Sequence, residues 1–257
     1  MTTDEPVLLV EKKDGLARVT LNRPRRLNSL DRELQKELRR AFLDLSEDRT
    51  IRVIHLTAAG EKAFCAGADL KESETHDFAG LGEFLEGQPG VWDMMQRCPQ
   101  VIVSEVNGWA IGGGLQLALF SDLVYASQSA AFKLTQVSLG LVPPYGTTVR
   151  LARHIGQGRA MRMIMLGSTM TADEALSAGL VQGVEPDAAS LSKTVDEVIQ
   201  QLLSLPPESL LVSKNALVTG WDMSAEAMSA ADRFRSYSLK QSSDTKRLHT
   251  EWAAARQ

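Results

Sequence analysis

Short apolar runs near the start of the chain flank a pair of turn-forming residues. Residues 7–11 and 16–21 are largely apolar or β-branched and are separated by Asp14-Gly15. An Asp-Gly pair between two such runs is typical of a tight hairpin turn, because both residues tolerate a positive φ. The pattern therefore predicts a β-hairpin.

The hydrophobic period then changes from that of a strand to that of a helix. Between residues 34 and 45 apolar side chains recur at intervals of three and four, and Asp31 precedes them as a plausible N-cap. Residues 53–57 form a short apolar run that predicts a buried strand. Residues 71–90 are polar with scattered aromatics and predict a mobile segment or lid, followed by a helix that ends near Arg97.

Three consecutive glycines, residues 112–114, follow the apolar run 101–103 and lead into the apolar stretch 115–120. We predict a strand that passes into a buried helix here. Glycine is costly inside a regular element, so the run implies a positive φ or a close backbone approach. Two interpretations remain open: the free N–H groups of a helix N-terminus that suit an anion or an oxyanion, or a tight turn packed under another element.

The second half of the chain predicts short strands followed mainly by helices. Residues 123–126 and 131–134 predict strands, and residues 139–146 predict a rigid loop. Thr171-Ala172-Asp173-Glu174 is a capping box that opens a helix ending at Gly179, and residues 180–184 predict a last strand.

Beyond Pro186 the pattern is helical to the last residue, with interruptions at residues 206–207 and at Gly220. This change of pattern predicts two regions, a core at 1–186 and a helical region at 187–257. Strands that alternate with helices, followed by helices alone, predict an α/β fold class.

Composition excludes several classes of function. The 257 residues are 44% hydrophobic and 23% charged, with a formal net charge of −4 and no basic block, so neither nucleic acid nor a membrane is an expected partner. Two cysteines, Cys65 and Cys98, fit a reducing compartment and predict a cytoplasmic protein. The four histidines have no ligand-like spacing, so no metal site is expected.

Five separated segments resemble the enoyl-CoA hydratase/isomerase (crotonase) superfamily in order and spacing. They are Leu21-Asn22-Arg23-Pro24 with Leu27-Asn28-Ser29-Leu30, residues 63–72, the glycine run, Leu139-Gly140-Leu141-Val142-Pro143, and residues 171–181. The resemblance spans about residues 7 to 220. It implies a crotonase-like spiral of repeated β-β-α turns, with a C-terminal helical trimerisation region that forms a homotrimer or a dimer of trimers.

The resemblance also implies chemistry on acyl-CoA thioesters, such as those of fatty acid metabolism. Coenzyme A would enter as part of the substrate, with no permanently bound cofactor. In this family two backbone N–H groups form an oxyanion hole for the thioester carbonyl, and residue by residue these fall on Ala68 and Gly113. Preorganised amides suit an enolate or a tetrahedral oxyanion.

The coenzyme site that the resemblance implies follows the first of these loops. Backbone groups from Ala66 to Lys71 would meet the adenine and pantetheine, and Arg25, Arg26 and Lys71 would lie near the phosphates. The candidate coenzyme-binding residues are Arg25, Arg26, Ala66, Asp69, Leu70 and Lys71. The alternatives are that the cations are solvated surface and that Asp69 braces its own loop.

The sequence departs from the family at the catalytic acid and base. Family hydratases use two glutamates, and the matching positions here hold Gln116 and Gln136. An amide forms hydrogen bonds but transfers no proton near neutral pH, so hydration is disfavoured. Isomerisation, decarboxylation or hydrolysis fits these residues better than hydration does. The enzyme class expected is a lyase or an isomerase. Both glutamines could instead merely fill polar space.

A proton donor must then come from another residue. Tyr145 is a candidate, since its loop resembles the Pro-Tyr segment of the family's methylmalonyl-CoA decarboxylases with a register shift of two residues. It could equally be an aromatic that covers the acyl pocket, and Trp92 is expected to line that pocket or the core. Acidic and histidine side chains of the lid segment are further candidates: Glu72, Glu74, His76, Asp77, Glu83 and Glu86. A catalytically silent acyl-CoA-binding protein is the alternative function.

Overall fold

A computed structural model describes residues 5–69 and 90–254. The chain forms two compact units, Met1–Ile199 and Gln200–Gln257. The division into 1–186 and 187–257 stays a prediction. Strands and helices are labelled below in chain order as they occur in the described residues.

The predicted hairpin is present. Strand β1 (Leu8–Lys13) pairs antiparallel with β2 (Leu16–Leu21). Asp14 and Gly15 adopt φ values of 49° and 86°, the left-handed conformations that a two-residue hairpin turn requires. The turn chemistry in the sequence therefore sets the register of the first two strands.

Helix α1 (Arg32–Glu47) is also confirmed. The Asp31 carboxylate accepts a hydrogen bond from the backbone N–H of Leu34 at 2.8 Å, as an N-cap does. The helix buries its apolar stripe and leaves the charged face in solvent. The buried residues are Leu34, Leu38, Ala41, Phe42 and Leu45.

The larger sheet continues from the hairpin through β3 (Val53–Ala58), β5 (Val101–Val106), β7 (Leu123–Ser127) and β10 (Gly183–Glu185). In the described part of the chain its strand order is β1-β2-β3-β5-β7-β10. Apart from the hairpin, its neighbouring strands run parallel. All residues of β3 and β5 are buried, which explains their continuous apolar pattern.

The last predicted strand was placed too early. Residues 180–184 were expected to form it, but β10 covers Gly183–Glu185. Leu180 instead closes the end of the preceding helix, where its N–H donates to the Ala175 carbonyl at 2.9 Å, and its side chain is buried in the core. Apolar character at this position thus reflects packing rather than strand pairing.

A smaller sheet positions the candidate site. Its strands, in their order across the sheet, are β4 (Ala63–Cys65), β6 (Trp109–Ile111), β8 (Ala131–Lys133) and β9 (Met170–Thr171). Strands β4 and β6 are parallel neighbours, so their carboxyl ends lie at the same edge. The loop after β4 and the glycine run after β6 therefore meet.

Short helices connect these strands. They are α2 (Val91–Arg97), α3 (Gly113–Leu119), α4 (Thr147–Ile155), α5 (Gln157–Leu166) and α6 (Ala172–Ala178). The capping box predicted for α6 is present: Thr171 Oγ1 accepts from the Glu174 N–H, and the Glu174 carboxylate accepts from the Thr171 N–H at 2.9 Å. Gly179 ends the helix at φ 81°.

Helix α7 (Ala188–Ser204) follows the last strand of the larger sheet. It buries Leu191, Val195 and Ile199, which are spaced four residues apart on one face. Polar contacts tie the helix to two strands: Thr194 Oγ1 donates to Glu185 at 2.8 Å, and the Arg18 guanidinium lies 3.3 Å from Asp196.

Three helices follow in the second unit: α8 (Pro207–Gly220), α9 (Ala225–Lys240) and α10 (Ser243–Ala254). The interruptions predicted at residues 206–207 and Gly220 coincide with their boundaries. Within the described residues, no helix combines the length and the apolar character needed to cross a membrane.

Candidate active site

The loop after β4 presses directly against the glycine run. A Cβ placed on Gly67 would lie 2.6 Å from the Ile111 carbonyl oxygen and 3.3 Å from the Gly113 nitrogen, and Gly67 adopts φ 87°. A Cβ on Gly114 would lie only 2.0 Å from the Cys65 carbonyl oxygen. Both positions require glycine, so close backbone approach accounts for part of the run.

Packing does not account for the amide of Gly113. Gly112 is the N-cap of α3, with φ 53°, and its carbonyl accepts from the Gln116 N–H at 3.0 Å. Gly113 is therefore the first helical residue, and its N–H precedes the first intrahelical hydrogen bond. No residue in the described ranges 5–69 and 90–254 accepts a hydrogen bond from it.

The amide of Ala68 lies close to that of Gly113. Leu30 fixes the loop on both sides, since its N–H donates to Gly67 at 2.8 Å and its carbonyl accepts from Asp69 at 3.1 Å. These bonds leave the Ala68 N–H without an acceptor among the described residues. Because Gly67 abuts the Gly113 nitrogen, covalent geometry places the two amides within about 7 Å of each other. Ala68 is exposed and Gly113 is half-buried.

Gln116, on α3, is buried, and the NH₂ group of its amide makes two hydrogen bonds. Its Nε2 donates to the Pro144 carbonyl at 3.1 Å and to Thr147 Oγ1 at 2.6 Å. Its Oε1 would lie 3.8 Å from a Cβ on Gly113. The side chain thus connects the glycine run to the loop that precedes α4.

Gln136 also faces the glycine run. It precedes a single turn of 3-10 helix, Val137–Leu139, and its Nε2 would lie 3.6 Å from a Cβ on Gly112. Its Oε1 is buried and accepts no hydrogen bond from the described residues. The fold therefore brings both glutamines of the sequence prediction beside the glycine run.

Tyr145 reaches the site through an aromatic contact. Its ring stacks on Trp92 with centroids 4.5 Å apart, and Trp92 Cζ2 would lie 3.6 Å from a Cβ on Gly113. Tyr145 adopts φ 59°, which is uncommon for an aromatic residue. Its phenol oxygen is turned toward the start of α2, 3.5 Å from the position of a Cβ on Gly90. Trp92 itself is buried.

The candidate coenzyme-binding residues that the structure describes are two exposed arginines and two residues of the Ala68 loop. Arg25 and Arg26 lie exposed in a turn of 3-10 helix, Pro24–Arg26. Ala66 is fixed by its N–H, which donates to the Leu27 carbonyl at 3.0 Å. Leu70, Lys71 and the acidic and histidine candidates of the lid segment lie outside the described residues, as does the predicted lid.

Asp69 takes part in a bracing network that the sequence does not reveal. Its carboxylate accepts from Ser29 Oγ at 3.1 Å and lies 3.7 Å from the Arg23 guanidinium. The same guanidinium contacts Asp31 at 2.5 Å and donates to the Ser29 carbonyl. This arrangement ties the Ala68 loop to the N-cap of α1. Arg23 belongs to a segment that carries the resemblance, but only the folded chain identifies its partners.

Cys65 is an inert thiol in this structure. It is completely buried, and burial raises the pKa of its thiol from 9.0 to about 12. The thiol therefore stays protonated near neutral pH, which argues against a nucleophilic role. In the described residues, no group of three or more His, Cys, Asp or Glu side chains could hold a metal ion.

The architecture and the comparisons with other proteins agree on the class. Parallel strands carry two glycine-dependent loops to one sheet edge. A profile of the enoyl-CoA hydratase/isomerase family matches residues 11–257. The chain belongs to this family of acyl-CoA-processing enzymes.

Several relatives are similar in sequence. The chain is 41% identical over 224 residues to an (E)-benzylidenesuccinyl-CoA hydratase of Thauera aromatica, covering 86% of this chain and 85% of the relative. It is 35% identical over 215 residues to a short-chain-enoyl-CoA hydratase of Clostridium acetobutylicum, covering 83% and 81%.

Solved structures show the same fold. The enoyl-CoA hydratase of Bacillus anthracis superposes with a TM-score of 0.88 at 31% identity, covering 97% of this chain and 96% of the other. A putative enoyl-CoA hydratase of Streptomyces coelicolor superposes with a TM-score of 0.90 at 30% identity, covering 99% and 94%. The expected crotonase fold is thereby confirmed.

Proposed function

We propose that the chain binds an acyl-CoA thioester and stabilises an enolate or oxyanion with the backbone amides of Ala68 and Gly113. The observation that carries this proposal is the close approach of Gly67 to the Gly113 nitrogen. This approach brings together the N–H groups of Ala68 and Gly113, and neither has an acceptor among the described residues. Donors fixed in advance need no reorganisation when charge develops on the carbonyl oxygen. Arg25, Arg26, Ala66, Asp69, Leu70 and Lys71 would bind the coenzyme portion.

The proposed reaction is an isomerisation, decarboxylation or hydrolysis rather than a hydration that depends on two glutamates. Gln116 and Gln136 transfer no proton, and general acid-base catalysis typically supplies about 10²–10⁴-fold per group. Tyr145 is the candidate for a single proton donor; its ring stacks on Trp92, and Trp92 in turn lies beside Gly113. Because two relatives are named hydratases, hydration is one outcome that the experiment must detect.

A silent acyl-CoA-binding protein is the second candidate. It is favoured by the engagement of both Gln116 amide hydrogens with Pro144 and Thr147, which gives this side chain a structural role in place of a catalytic one. In such a protein the two backbone amides would grip the thioester carbonyl without chemistry.

The test is incubation of the protein with crotonyl-, 3-enoyl-, malonyl-type and cyclic acyl-CoA thioesters in deuterated water, followed by mass spectrometry. Deuterium uptake or product formation supports the enzyme, and a mass gain of one water would overturn the exclusion of hydration. Binding without either supports the silent binder. Ala68→Pro deletes one N–H and should abolish the activity, whereas Ala68→Ser keeps the N–H and serves as the matched control.

We also propose that the chain forms a homotrimer or a dimer of trimers. Large apolar side chains in the second unit are exposed, among them Leu217 and Phe234, each at 73%. Exposed apolar surface of this kind marks interaction sites. A cytoplasmic location fits the two cysteines, Cys65 and Cys98, which form no disulfide.

A further inference from the structure

The turn before α4 is held by one carbonyl group. The Pro144 oxygen accepts three donors: the Thr147 N–H at 3.2 Å, Thr147 Oγ1 at 2.5 Å and Gln116 Nε2 at 3.1 Å. Gln116 Nε2 also donates to Thr147 Oγ1 at 2.6 Å. A single side chain amide from α3 therefore fixes both ends of the turn.

The number of hydrogen-bond donors required determines which side chain can occupy position 116. The Pro144 carbonyl only accepts, and the Thr147 hydroxyl gives its single hydrogen to that carbonyl. Gln116 must therefore supply a hydrogen to each of them, which requires an NH₂ group and also settles the orientation of the amide. A glutamate carboxylate at this position would bring no hydrogen and would place a negative charge against a carbonyl oxygen.

The turn that Gln116 holds has an unfavourable backbone. Tyr145 and Gly146 both have positive φ, 59° and 68°, and a left-handed conformation is disfavoured for an aromatic residue. Such a conformation persists only where its surroundings enforce it. Trp92 restrains the ring of Tyr145, while Gln116 and Thr147 restrain the backbone on either side.

We propose that Gln116 is a positioning residue: its amide holds the Pro144–Thr147 turn and thereby places Tyr145 against Trp92 beside Gly113. The family resemblance assigns a proton-transferring glutamate to this position, and the present chain uses it to hold a loop. Restoring a glutamate would break the turn rather than restore a hydratase. Only the consequence for turnover rests on the proposed function; the consequence for the turn does not.

The first test measures the turn directly by hydrogen–deuterium exchange of peptides covering residues 141–151. Gln116→Glu and Gln116→Met both remove the two hydrogens, and the second does so without adding charge. Each should speed exchange of the Thr147 amide by about tenfold or more, because loss of a buried hydrogen bond raises local opening. Wild-type exchange in Gln116→Met would overturn the proposal.

Gln100 provides the matched control. Its buried Nε2 also donates to two acceptors, the backbone carbonyls of Leu45 at 2.7 Å and Asp48 at 3.3 Å, away from the glycine run. Gln100→Glu should destabilise the protein without speeding exchange in residues 141–151. Equal acceleration there by Gln100→Glu would show a general loss of stability and would overturn the positioning role.

The second test follows turnover of whichever thioester the panel identifies. Gln116→Met should lower kcat by about tenfold or more with little change in KM. In a Tyr145→Ala background the same change should lower kcat little further, because both substitutions remove the placement of Tyr145 against Trp92. Additive losses would overturn the proposal. If no thioester is turned over, the proposed function fails by itself, and the exchange experiment alone decides the role of Gln116.

Discussion

At the scale of single residues, the candidate site depends on side chains that are absent as much as on those present. Gly67 and Gly114 allow two loops to approach within contact distance of each other's backbone. The sequence predicted a close approach or a positive φ somewhere in the glycine run. It could not assign a reason to each glycine, because the atoms that would obstruct a Cβ at Gly113 and Gly114 belong to Leu30 and Cys65, which are remote in sequence from the run.

Gly114→Ala should therefore be strongly destabilising. The added Cβ would lie 2.0 Å from the Cys65 carbonyl oxygen, a backbone atom that cannot rotate away. We expect a loss of about 3 kcal/mol or more in the free energy of unfolding, measured by urea denaturation. Gly158→Ala is the control, since nothing lies within 4 Å of its Cβ position on α5, and it should gain about 0.5–1 kcal/mol. Similar behaviour of the two variants would contradict the packing argument.

The Cys65 thiol gives a prediction about pH. Burial raises the pKa of this thiol from 9.0 to about 12, so the unfolded chain loses the proton at lower pH than the folded chain. The free energy of unfolding should therefore fall as pH rises from 9 toward 12. Comparison of wild type with Cys65→Ala isolates this contribution: the variant should show a shallower decline. Identical pH profiles would show that the thiol is not protected.

At the scale of elements, local signals determined which predictions were confirmed. The hairpin, α1 and α6 were predictable because Asp14-Gly15, Asp31 and the capping box act within a few residues. The smaller sheet was harder, since strands of two or three residues show no periodicity. Its strands β4 and β6 pair residues far apart in sequence. Likewise Gln116 was predicted as a site residue, but its partners Pro144 and Thr147 come from tertiary structure.

The capping box of α6 allows a quantitative check at this scale. Thr171→Ala removes the oxygen that accepts from the Glu174 N–H, and we expect a loss of about 1 kcal/mol in the free energy of unfolding. Thr171→Ser keeps the hydroxyl and should retain most of the stability. Thermal and urea unfolding of the three proteins measure the difference. Equal losses in both variants would mean that the methyl group, rather than the cap, is responsible.

At the scale of the whole molecule, the second unit exposes several large apolar side chains to solvent. They include Leu211, Leu217, Trp221, Phe234, Tyr237 and Trp252. A surface of this composition is expected to be covered by protein, and the proposed trimer supplies a second and third copy of the chain. The sequence pattern predicted these helices but not which of their side chains would be left exposed.

The solution mass tests this proposal. Light scattering should give about 84 kDa for a trimer, three times the 28.1 kDa of the chain, or twice that for a dimer of trimers. Phe234→Asp places a charge on the exposed apolar surface and should shift the mass toward that of the single chain, because burying an unpaired charge is costly. Arg233→Asp adds a carboxylate at the adjacent exposed position, about 100° around α9, and should leave the assembly intact. A single-chain mass for the wild type over a dilution series would refute the oligomer. Equal dissociation of the Phe234→Asp and Arg233→Asp variants would show that net charge, rather than the apolar surface, controls assembly.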